Sequence, residues 1–199
     1  MTSSVTLTTP NLLTLVRIGT VPLLVVLLLF PGPVPSACAA AVFFGATITD
    51  FLDGYIARNY GSGSTFGKFL DPLADKLVVT AALVMLSGMA RTPRVPAWMV
   101  VMLVSREILV TGLRAVAAAE GWIIAAEELG KYKMVLQAIA VQGLLIHYVY
   151  FDIDFFAAGL FILWIALALS IWSGVEYFIK GFQLLTTPER TQQAKRAAM

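Results

Sequence analysis

Four aspartates lie within residues 50–75, a short polar stretch of a chain that is otherwise largely apolar. The first two belong to a group at positions i, i+3, i+4, i+7 and i+8, namely Asp50, Asp53, Gly54, Ala57 and Arg58. Residues at this spacing share one face of an α-helix. Such a face would present two carboxylates about one turn apart, two small residues that leave room for a ligand against the backbone, and a guanidinium beyond them.

The other two aspartates repeat this arrangement after the polar connection NYGSGST. Gly67, Asp71 and Asp75 stand at positions i, i+4 and i+8, so they also share a helical face. Pro72 predicts that this next helix begins or bends close to Asp71. If the two helices form a hairpin, their four carboxylates converge.

Four converging carboxylates would repel one another unless protons or a cation neutralise them. Two like charges ~4 Å apart repel by roughly 4 kcal/mol at an effective dielectric constant of about 20, and a carboxylate at the centre of a bilayer costs ~2.5 kcal/mol or more. Lone acids at helix ends commonly extend into water, but that does not account for four aspartates on matching faces. Either some acids are protonated or a divalent metal lies among them, and an all-oxygen cluster without His or Cys suits Mg²⁺ or Mn²⁺.

The elements that must position these residues are those of a membrane protein. The chain has 199 residues, of which 59% are hydrophobic and only 13% are charged. Its mean hydropathy of +0.84 is well above the usual range of soluble domains. The formal net charge is only +2, and the basic residues are spread between apolar runs, so the sequence predicts no nucleic acid partner.

Apolar runs bounded by proline, glycine and charge predict the membrane-spanning helices. A helix needs about 20 residues to cross a hydrocarbon core of about 30 Å. Six segments meet this criterion: from about Pro10 to Phe30, from Ser36 to Arg58, from between Phe66 and Asp71 to Ala90, from Ala97 to Ala118, from Leu129 to Tyr150, and from Phe155 to Lys180. No linker or shift in composition separates them. We therefore expect an all-α integral membrane fold of six transmembrane helices that forms a single domain over residues 1–199.

Lysine and arginine predict the orientation, because they favour the cytoplasmic side of a membrane. With a cytoplasmic N-terminus, the outward loops are residues 31–35, 91–96 and 151–154. These loops contain only Arg91 and Arg94 of the 14 basic residues. The expected topology therefore has both termini in the cytoplasm, and it puts the aspartates at the cytoplasmic ends of helices 2 and 3.

The aspartate pattern is similar to a known signature. D-x2-D-G-x2-A-R-x8-G-x3-D-x3-D has eight fixed positions at fixed gaps, and it resembles the signature of the CDP-alcohol phosphatidyltransferases. The resemblance implies a six-helix membrane enzyme, a homodimer, that displaces CMP from a CDP-linked lipid with an alcohol. The active site would then lie at the cytoplasmic ends of helices 2 and 3, where a water-soluble CDP group and a membrane-bound diacylglycerol can both reach it.

The resemblance also implies roles for the residues of the motif. The metal ligands would be Asp50, Asp53, Asp71 and Asp75, with Mg²⁺ or Mn²⁺ as the cofactor. Asp75 would in addition take the proton from the attacking hydroxyl. Gly54, Ala57 and Arg58 would lie against the cytidine and the diphosphate. The full set expected to bind the CDP-lipid is Asn11, Thr14, Gly54, Ala57, Arg58, Ser64 and Gly67.

Basic residues further along the chain indicate how the acceptor alcohol is bound. In the segment SREILVTGLR, Arg106 and Arg114 stand eight residues apart and hence on one helical face. The segment GKYKMVLQ adds Lys131 and Lys133. Arginine is costly inside a membrane, which favours a ligand, and these four residues would form a pocket for an acceptor that carries a phosphate. The alternative is that Arg106 pairs with Glu107 or another acid and that the lysines are ordinary cytoplasmic residues.

Three segments narrow the choice of acceptor. PNLLTLVR, SREILVTGLR and GKYKMVLQ resemble the corresponding segments of bacterial family members whose acceptor is sn-glycerol 3-phosphate. The resemblance implies that a phosphatidyl group moves from CDP-diacylglycerol to glycerol 3-phosphate in the bacterial inner (cytoplasmic) membrane, giving phosphatidylglycerol phosphate and CMP. The expected partners are these two substrates, membrane lipids and a second copy of the chain. Inositol phosphate and serine remain open as acceptors.

A function of a different class is that of a small polytopic cation transporter, with the aspartates along its ion path. Such a path predicts acids throughout the depth of the membrane. Here the acids cluster at one face, and the outward halves of helices 2 and 3 have no acidic or basic residue. A membrane scaffold would leave the whole cluster unexplained, so the enzyme is the hypothesis that the sequence favours.

Overall fold

The structure is a computed structural model that describes residues 9–60, 65–90, 92–119 and 128–186. In these ranges the chain forms six helices and one short antiparallel hairpin, which confirms the predicted all-α fold. The helices are α1 (Thr9–Leu29), α2 (Pro33–Tyr60), α3 (Thr65–Gly88), α4 (Ala97–Ala119), α5 (Glu128–Ile146) and α6 (Phe155–Thr186). The two strands, β1 (Val149–Tyr150) and β2 (Ile153–Asp154), connect α5 to α6.

Several helix boundaries differ from the prediction. α2 begins earlier than expected, at Pro33, because a proline in the first turn gives up only an N–H that has no partner within the helix. α3 begins at Thr65, just before the predicted range, so Pro72 lies inside the helix and does not mark its start. α6 continues past Lys180 to Thr186.

The prediction that the fifth helix extends to Tyr150 was wrong, because α5 ends at Ile146. The next residue, His147, adopts a left-handed backbone conformation with a φ of 67°. Its N–H donates to the carbonyl of Gly143 at 3.2 Å, which closes the last turn of the helix. The chain then leaves the helical direction and enters the hairpin.

The hairpin determines where α6 begins. Phe151 and Asp152 form its two-residue turn and have φ values of 53° and 61°, the positive values that a type I′ turn requires. The second strand ends at Asp154, whose Oδ1 accepts the N–H of Ala157 at 2.9 Å. This contact caps the first turn of α6, where the backbone N–H groups have no partner within the helix.

The helices pack around one apolar core. α5 and α6 form the most extensive helix pair, α1 packs against both α2 and α3, and α4 contacts α3 and α6. The most completely buried side chains include Leu24, Phe43, Leu83, Met99, Leu144 and Leu163. Gly143 and Gly159 let α5 and α6 approach closely, since a Cβ added to Gly159 would lie 2.7 Å from the Leu144 nitrogen. Small residues at such crossings are typical of helix pairs that associate within a membrane.

α6 is long and apolar enough to cross a membrane, because its stretch Phe155–Phe182 has 28 residues and contains an 18-residue window with a mean hydropathy of 2.3. Four of the other helices, α1, α2, α3 and α5, contain shorter apolar stretches at Val16–Leu29, Pro33–Thr49, Lys76–Gly88 and Tyr132–Ile146. Large apolar side chains also face outward, among them Phe161, Trp172 and Phe182. An outer surface of this kind suits lipid. The count of six spans and their orientation stay predictions.

Candidate functional site

α3, α4, α5 and α6 surround a cavity of about 270 Å³ that is lined by both polar and apolar residues, and we call it the basic cavity. Its polar lining residues are Lys76 and Thr80 of α3, Arg106, Glu107, Thr111 and Arg114 of α4, Lys133 and Gln137 of α5, and Tyr177 of α6. Lys133 is near the start of α5 and Arg114 near the end of α4, so the cavity lies at that end of the bundle. Four cations and one carboxylate give the lining a formal charge of +3.

The carboxylate of Glu107 joins cations from three helices. Its Oε1 accepts a hydrogen bond from Arg106 Nη1 at 2.9 Å and also pairs with Lys133 Nζ, and its Oε2 lies 3.8 Å from Lys76 Nζ. The Lys133 side chain is only 6% exposed and that of Arg106 only 13% exposed. Cations in such positions need a counter-charge, because an uncompensated buried charge is strongly destabilising. Glu107 therefore connects α3, α4 and α5 around the cavity.

Arg106 lies against α6, which fixes the direction of its guanidinium. Its Nε donates to the carbonyl oxygen of Ser170 at 2.9 Å, and its Nη2 donates to the hydroxyl of Ser173. Gly174 provides room for the arginine stem, since a Cβ at that position would lie 3.2 Å from Arg106 Cγ. With the bond from Nη1 to Glu107, all three guanidinium nitrogens have an acceptor.

The α6 side of this site was missed at the level of sequence, and Glu107 was considered only as an alternative partner of Arg106. Ser170, Ser173 and Gly174 occupy positions i, i+3 and i+4, so they share one face of a helix that is otherwise strongly apolar. A polar or small face in such a helix commonly marks contact with a neighbouring helix. The segment SIWSG therefore indicated a contact between this helix and a neighbouring helix.

Lys76 links the basic cavity to the aspartate segment, by which we mean residues 50–75. It directly follows Asp75 in α3. Its Nζ donates to Thr111 Oγ1 on α4 and faces Glu107. Lys76, the first residue after the aspartate motif, thus lines the basic cavity.

The structure brings together three of the four residues predicted to bind the acceptor. Arg106, Arg114 and Lys133 all line the basic cavity. The alternative for Arg106 is also realised, since it pairs with Glu107. Arg114 makes no ion pair with the side chains that the structure describes. Lys131 belongs to α5 and its side chain lies outside that part, so phosphate binding by this group stays a prediction.

The aspartate segment covers the end of α2 and the first half of α3. Asp50 and Asp53 belong to α2, Asp71 and Asp75 belong to α3, and the two helices contact each other. The same two helices contain Gly54, Ala57, Arg58 and Gly67, and α1 contains Asn11 and Thr14. The side chains of these residues lie outside the described part of the chain, and Ser64 lies outside the described residues altogether. Their predicted roles stay predictions.

The metal site also stays a prediction. Among the side chains that the structure describes, no group of three or more His, Cys, Asp or Glu residues could hold a metal ion. The four predicted ligands, Asp50, Asp53, Asp71 and Asp75, are not among those side chains. Their donor set nevertheless fits Mg²⁺ or Mn²⁺, because it consists of carboxylate oxygens at helical spacing on two contacting helices.

Known proteins resemble this chain over most of its length. The family model of the CDP-alcohol phosphatidyltransferases matches residues 7–172. The CDP-diacylglycerol–glycerol-3-phosphate 3-phosphatidyltransferase of Bacillus subtilis is 42% identical over 190 residues, which cover 89% of this chain and 97% of the relative. CDP-diacylglycerol–glycerol-3-phosphate 3-phosphatidyltransferase 2 of Arabidopsis thaliana is 37% identical over 197 residues, 92% of this chain and 83% of the relative. The cardiolipin synthase (CMP-forming) of Oryza sativa is 34% identical over 193 residues, 90% of this chain and 59% of the relative.

Proposed function

The chain belongs to the CDP-alcohol phosphatidyltransferase family, and on this premise we propose that it transfers the phosphatidyl group of CDP-diacylglycerol to sn-glycerol 3-phosphate. The products are phosphatidylglycerol phosphate and CMP. The main structural support is the basic cavity beside the aspartate segment, because an acceptor that carries a phosphate needs several cations in one place. The relatives from Bacillus subtilis and Arabidopsis thaliana are named for this donor and this acceptor.

The reaction exchanges one alcohol for another on a single phosphorus. The acceptor hydroxyl attacks the phosphorus that bears the diacylglycerol, and the bond from this phosphorus to the oxygen shared with CMP breaks. Asp75 takes the proton of the attacking hydroxyl, and CMP leaves with the bridging oxygen. Because no covalent intermediate on the protein is required, the tasks of the protein are positioning and electrostatic stabilisation.

The four aspartates would hold Mg²⁺ or Mn²⁺ beside the diphosphate, through Asp50, Asp53, Asp71 and Asp75. A divalent cation bound there neutralises phosphate charge and polarises the phosphorus under attack. Two facts support this part of the proposal. The donors are all carboxylate oxygens, and four carboxylates that converge without a cation would repel one another strongly.

The CDP group of the donor would lie against the α2 and α3 segments that contain the small residues of the motif. Gly54, Ala57 and Gly67 lack bulky side chains at positions that share the helical faces of the aspartates. Arg58 adds a cation to the same face of α2. The complete proposed set for the CDP-lipid is Asn11, Thr14, Gly54, Ala57, Arg58, Ser64 and Gly67.

The phosphate of the acceptor would bind Arg106, Arg114, Lys131 and Lys133. A phosphomonoester has a charge of about −1.5 to −2 near neutral pH. The +3 formal charge of the cavity lining complements that charge. Serine has no net charge and would gain little from such a lining. Inositol phosphate bears the same group as glycerol 3-phosphate, so the two must be separated by activity.

The proposal includes the bacterial inner membrane as the location, six spans, cytoplasmic termini and a homodimer. The apolar span of α6, the outward-facing apolar side chains and the placement of Lys and Arg support the membrane location and the orientation. The homodimer rests on the family resemblance alone. Chemical crosslinking in native membranes tests it, and a band at the monomer mass only would contradict it.

Release of CMP by the purified protein tests the proposed reaction. Labelled CDP-diacylglycerol is supplied with glycerol 3-phosphate, inositol phosphate or serine, in the presence and absence of Mg²⁺ or Mn²⁺. We expect CMP when glycerol 3-phosphate and a divalent cation are both present. No CMP with any acceptor would remove the enzyme hypothesis, and CMP with inositol phosphate alone would correct the acceptor.

A lipid alcohol is the second candidate acceptor, because one relative, from Oryza sativa, is named a cardiolipin synthase (CMP-forming). The chain spans only 59% of that relative, compared with 97% of the relative from Bacillus subtilis. Phosphatidylglycerol, added as a further acceptor in the same assay, tests this candidate. CMP release that requires phosphatidylglycerol and not glycerol 3-phosphate would favour it.

A further inference from the structure

Every nitrogen of the Arg106 guanidinium has an acceptor within the protein. Nε and Nη2 donate to Ser170 and Ser173 on α6, and Nη1 donates to Glu107 Oε1 at 2.9 Å. Lys133 Nζ pairs with the same oxygen of Glu107. Two of the cations that the proposed function assigns to the acceptor phosphate are therefore bound to one anion of the chain itself.

A phosphate oxygen that enters the basic cavity competes with Glu107 for these donors. The contacts with α6 fix the guanidinium of Arg106, so its Nη1 cannot turn to meet a phosphate elsewhere. The Lys133 side chain is 6% exposed, which leaves its ammonium group little freedom to move. Arg106 Nη1 and Lys133 Nζ converge on one position, which Glu107 Oε1 occupies, so a phosphate oxygen can contact both cations there only if the carboxylate moves away.

We propose that Glu107 is an internal counter-anion that the acceptor phosphate displaces. The inference rests on the proposed function, because it takes the basic cavity as the acceptor site. The free energy needed to move the Glu107 carboxylate away from its two cations does not depend on which ligand displaces it. A phosphomonoester dianion regains contacts with both cations, whereas a neutral acceptor does not. Glu107 is thus a specificity-determining residue. When it returns to Arg106 and Lys133, it also assists release of the product, which still bears that phosphate.

Glu107→Gln tests the proposal, because glutamine keeps the shape and an acceptor oxygen but loses the charge. We expect the KM for glycerol 3-phosphate and the inhibition constant of methyl phosphate to fall about fivefold, the effect of removing a partly exposed ion pair. Glu176→Gln is the matched control, since Glu176 pairs with Lys180 at 3.2 Å on α6 but does not line the cavity. Unchanged or higher values for Glu107→Gln would overturn the proposal.

Two inhibitors distinguish displacement of Glu107 from repulsion by a carboxylate that stays in place. At about pH 8, methyl phosphate is a dianion and dimethyl phosphate a monoanion. If Glu107 is displaced, Glu107→Gln lowers both inhibition constants by the same factor, because the cost removed is the same. If Glu107 stays in place and only repels the ligand, Glu107→Gln lowers the two inhibition constants by different factors. The factor for the dianion is about the square of the factor for the monoanion, because the Coulomb energy is proportional to the charge of the ligand. That second outcome would contradict displacement.

A charge-retaining variant and a direct binding measurement complete the test. Glu107→Asp has a carboxylate that reaches the two cations less well, so its affinity for methyl phosphate is expected between those of the wild type and Glu107→Gln. This variant decides the question if Glu107→Gln does not fold, and an affinity at or below the wild-type value would overturn the proposal. Calorimetric titration of the full-length protein with methyl phosphate needs no turnover. If no CMP is released, the proposed function is wrong, but the titration still tests the role of Glu107.

Discussion

The aspartate segment and the basic cavity are adjacent on α3, but the chain builds them in different ways. The aspartate segment uses two consecutive helices, and its motif lies entirely within residues 50–75. The basic cavity uses four helices, and the hydrogen bond from Arg106 to Ser173 joins residues 67 positions apart. The first region is therefore visible as a spacing in the sequence, whereas the second exists only when the helices are packed.

This difference matches what each region is proposed to do. Ligands of a metal and a diphosphate must stand at fixed distances from one another, and positions on one helical face supply such distances locally. Recognition of a small anion needs enough positive charge around a cavity of the right size, which many helix arrangements can provide. A motif at fixed gaps thus indicates the reaction. The cations of the basic cavity lie on three helices, so their arrangement around a ligand depends on how those helices pack.

Removal of divalent cations is expected to have the largest effect, and it acts on the aspartate segment alone. Four carboxylates that need a cation should lose all function without one, so a chelator should abolish CMP release with every acceptor. Addition of Mg²⁺ or Mn²⁺ in excess of the chelator should restore it. CMP release measured against the concentration of free cation checks this. Activity that survives chelation would show that the aspartates do not act through a metal.

Asp75→Asn is expected to lower turnover by roughly 10²-fold to 10⁴-fold, the usual contribution of a general base. Binding of the CDP-lipid should persist, because the other aspartates remain. CMP release measures turnover, and equilibrium binding of labelled CDP-diacylglycerol measures affinity. Asp152→Asn is the matched control, since Asp152 lies exposed in the hairpin turn with a φ of 61°, which asparagine tolerates. Equal turnover in the two variants would remove Asp75 as the base.

Arg114→Gln tests the basic cavity, and its effect should appear mainly in KM. A charge-assisted hydrogen bond is worth about 1.5–3 kcal/mol, so the KM for glycerol 3-phosphate should rise roughly tenfold to a hundredfold, with a smaller change in kcat. Arg94→Gln, in an exposed position between α3 and α4, serves as the control and should leave KM unchanged. If Arg114→Gln changed kcat and not KM, Arg114 would belong with the reacting groups and the contrast between the two regions would weaken.

Most of the fold could be predicted because apolar runs report helices directly. The clearest error is the end of α5, which was predicted at Tyr150 but lies at Ile146, because the chain takes a left-handed conformation at His147. The start of α6 at Phe155 was predicted correctly, and Asp154 caps its first turn. The residue type of His147 does not fix this conformation by itself, since His147 leads into the hairpin that joins the two helices.

The site could be predicted only in part, for a related reason. The positions of Arg106, Arg114 and Lys133 were predicted because a cation inside an apolar chain is conspicuous. The Arg106 contacts with Ser170 and Gly174 could not be predicted, because they depend on how α4 packs against α6. Small residues and serines on a membrane helix have many uses, so their presence alone does not name a partner.

Gly174→Ala is expected to have the smallest effect, and it addresses the part of the cavity that the sequence did not reveal. The added methyl would lie 3.2 Å from Arg106 Cγ, so the arginine stem must shift by a few tenths of an ångström. Crowding of about this size should raise the KM for glycerol 3-phosphate by about threefold and leave CDP-lipid binding unchanged. Gly45→Ala on α2 is the control, because a Cβ there meets nothing within 4 Å. If the two variants had the same KM, the contact of Arg106 with α6 would not affect how the acceptor binds.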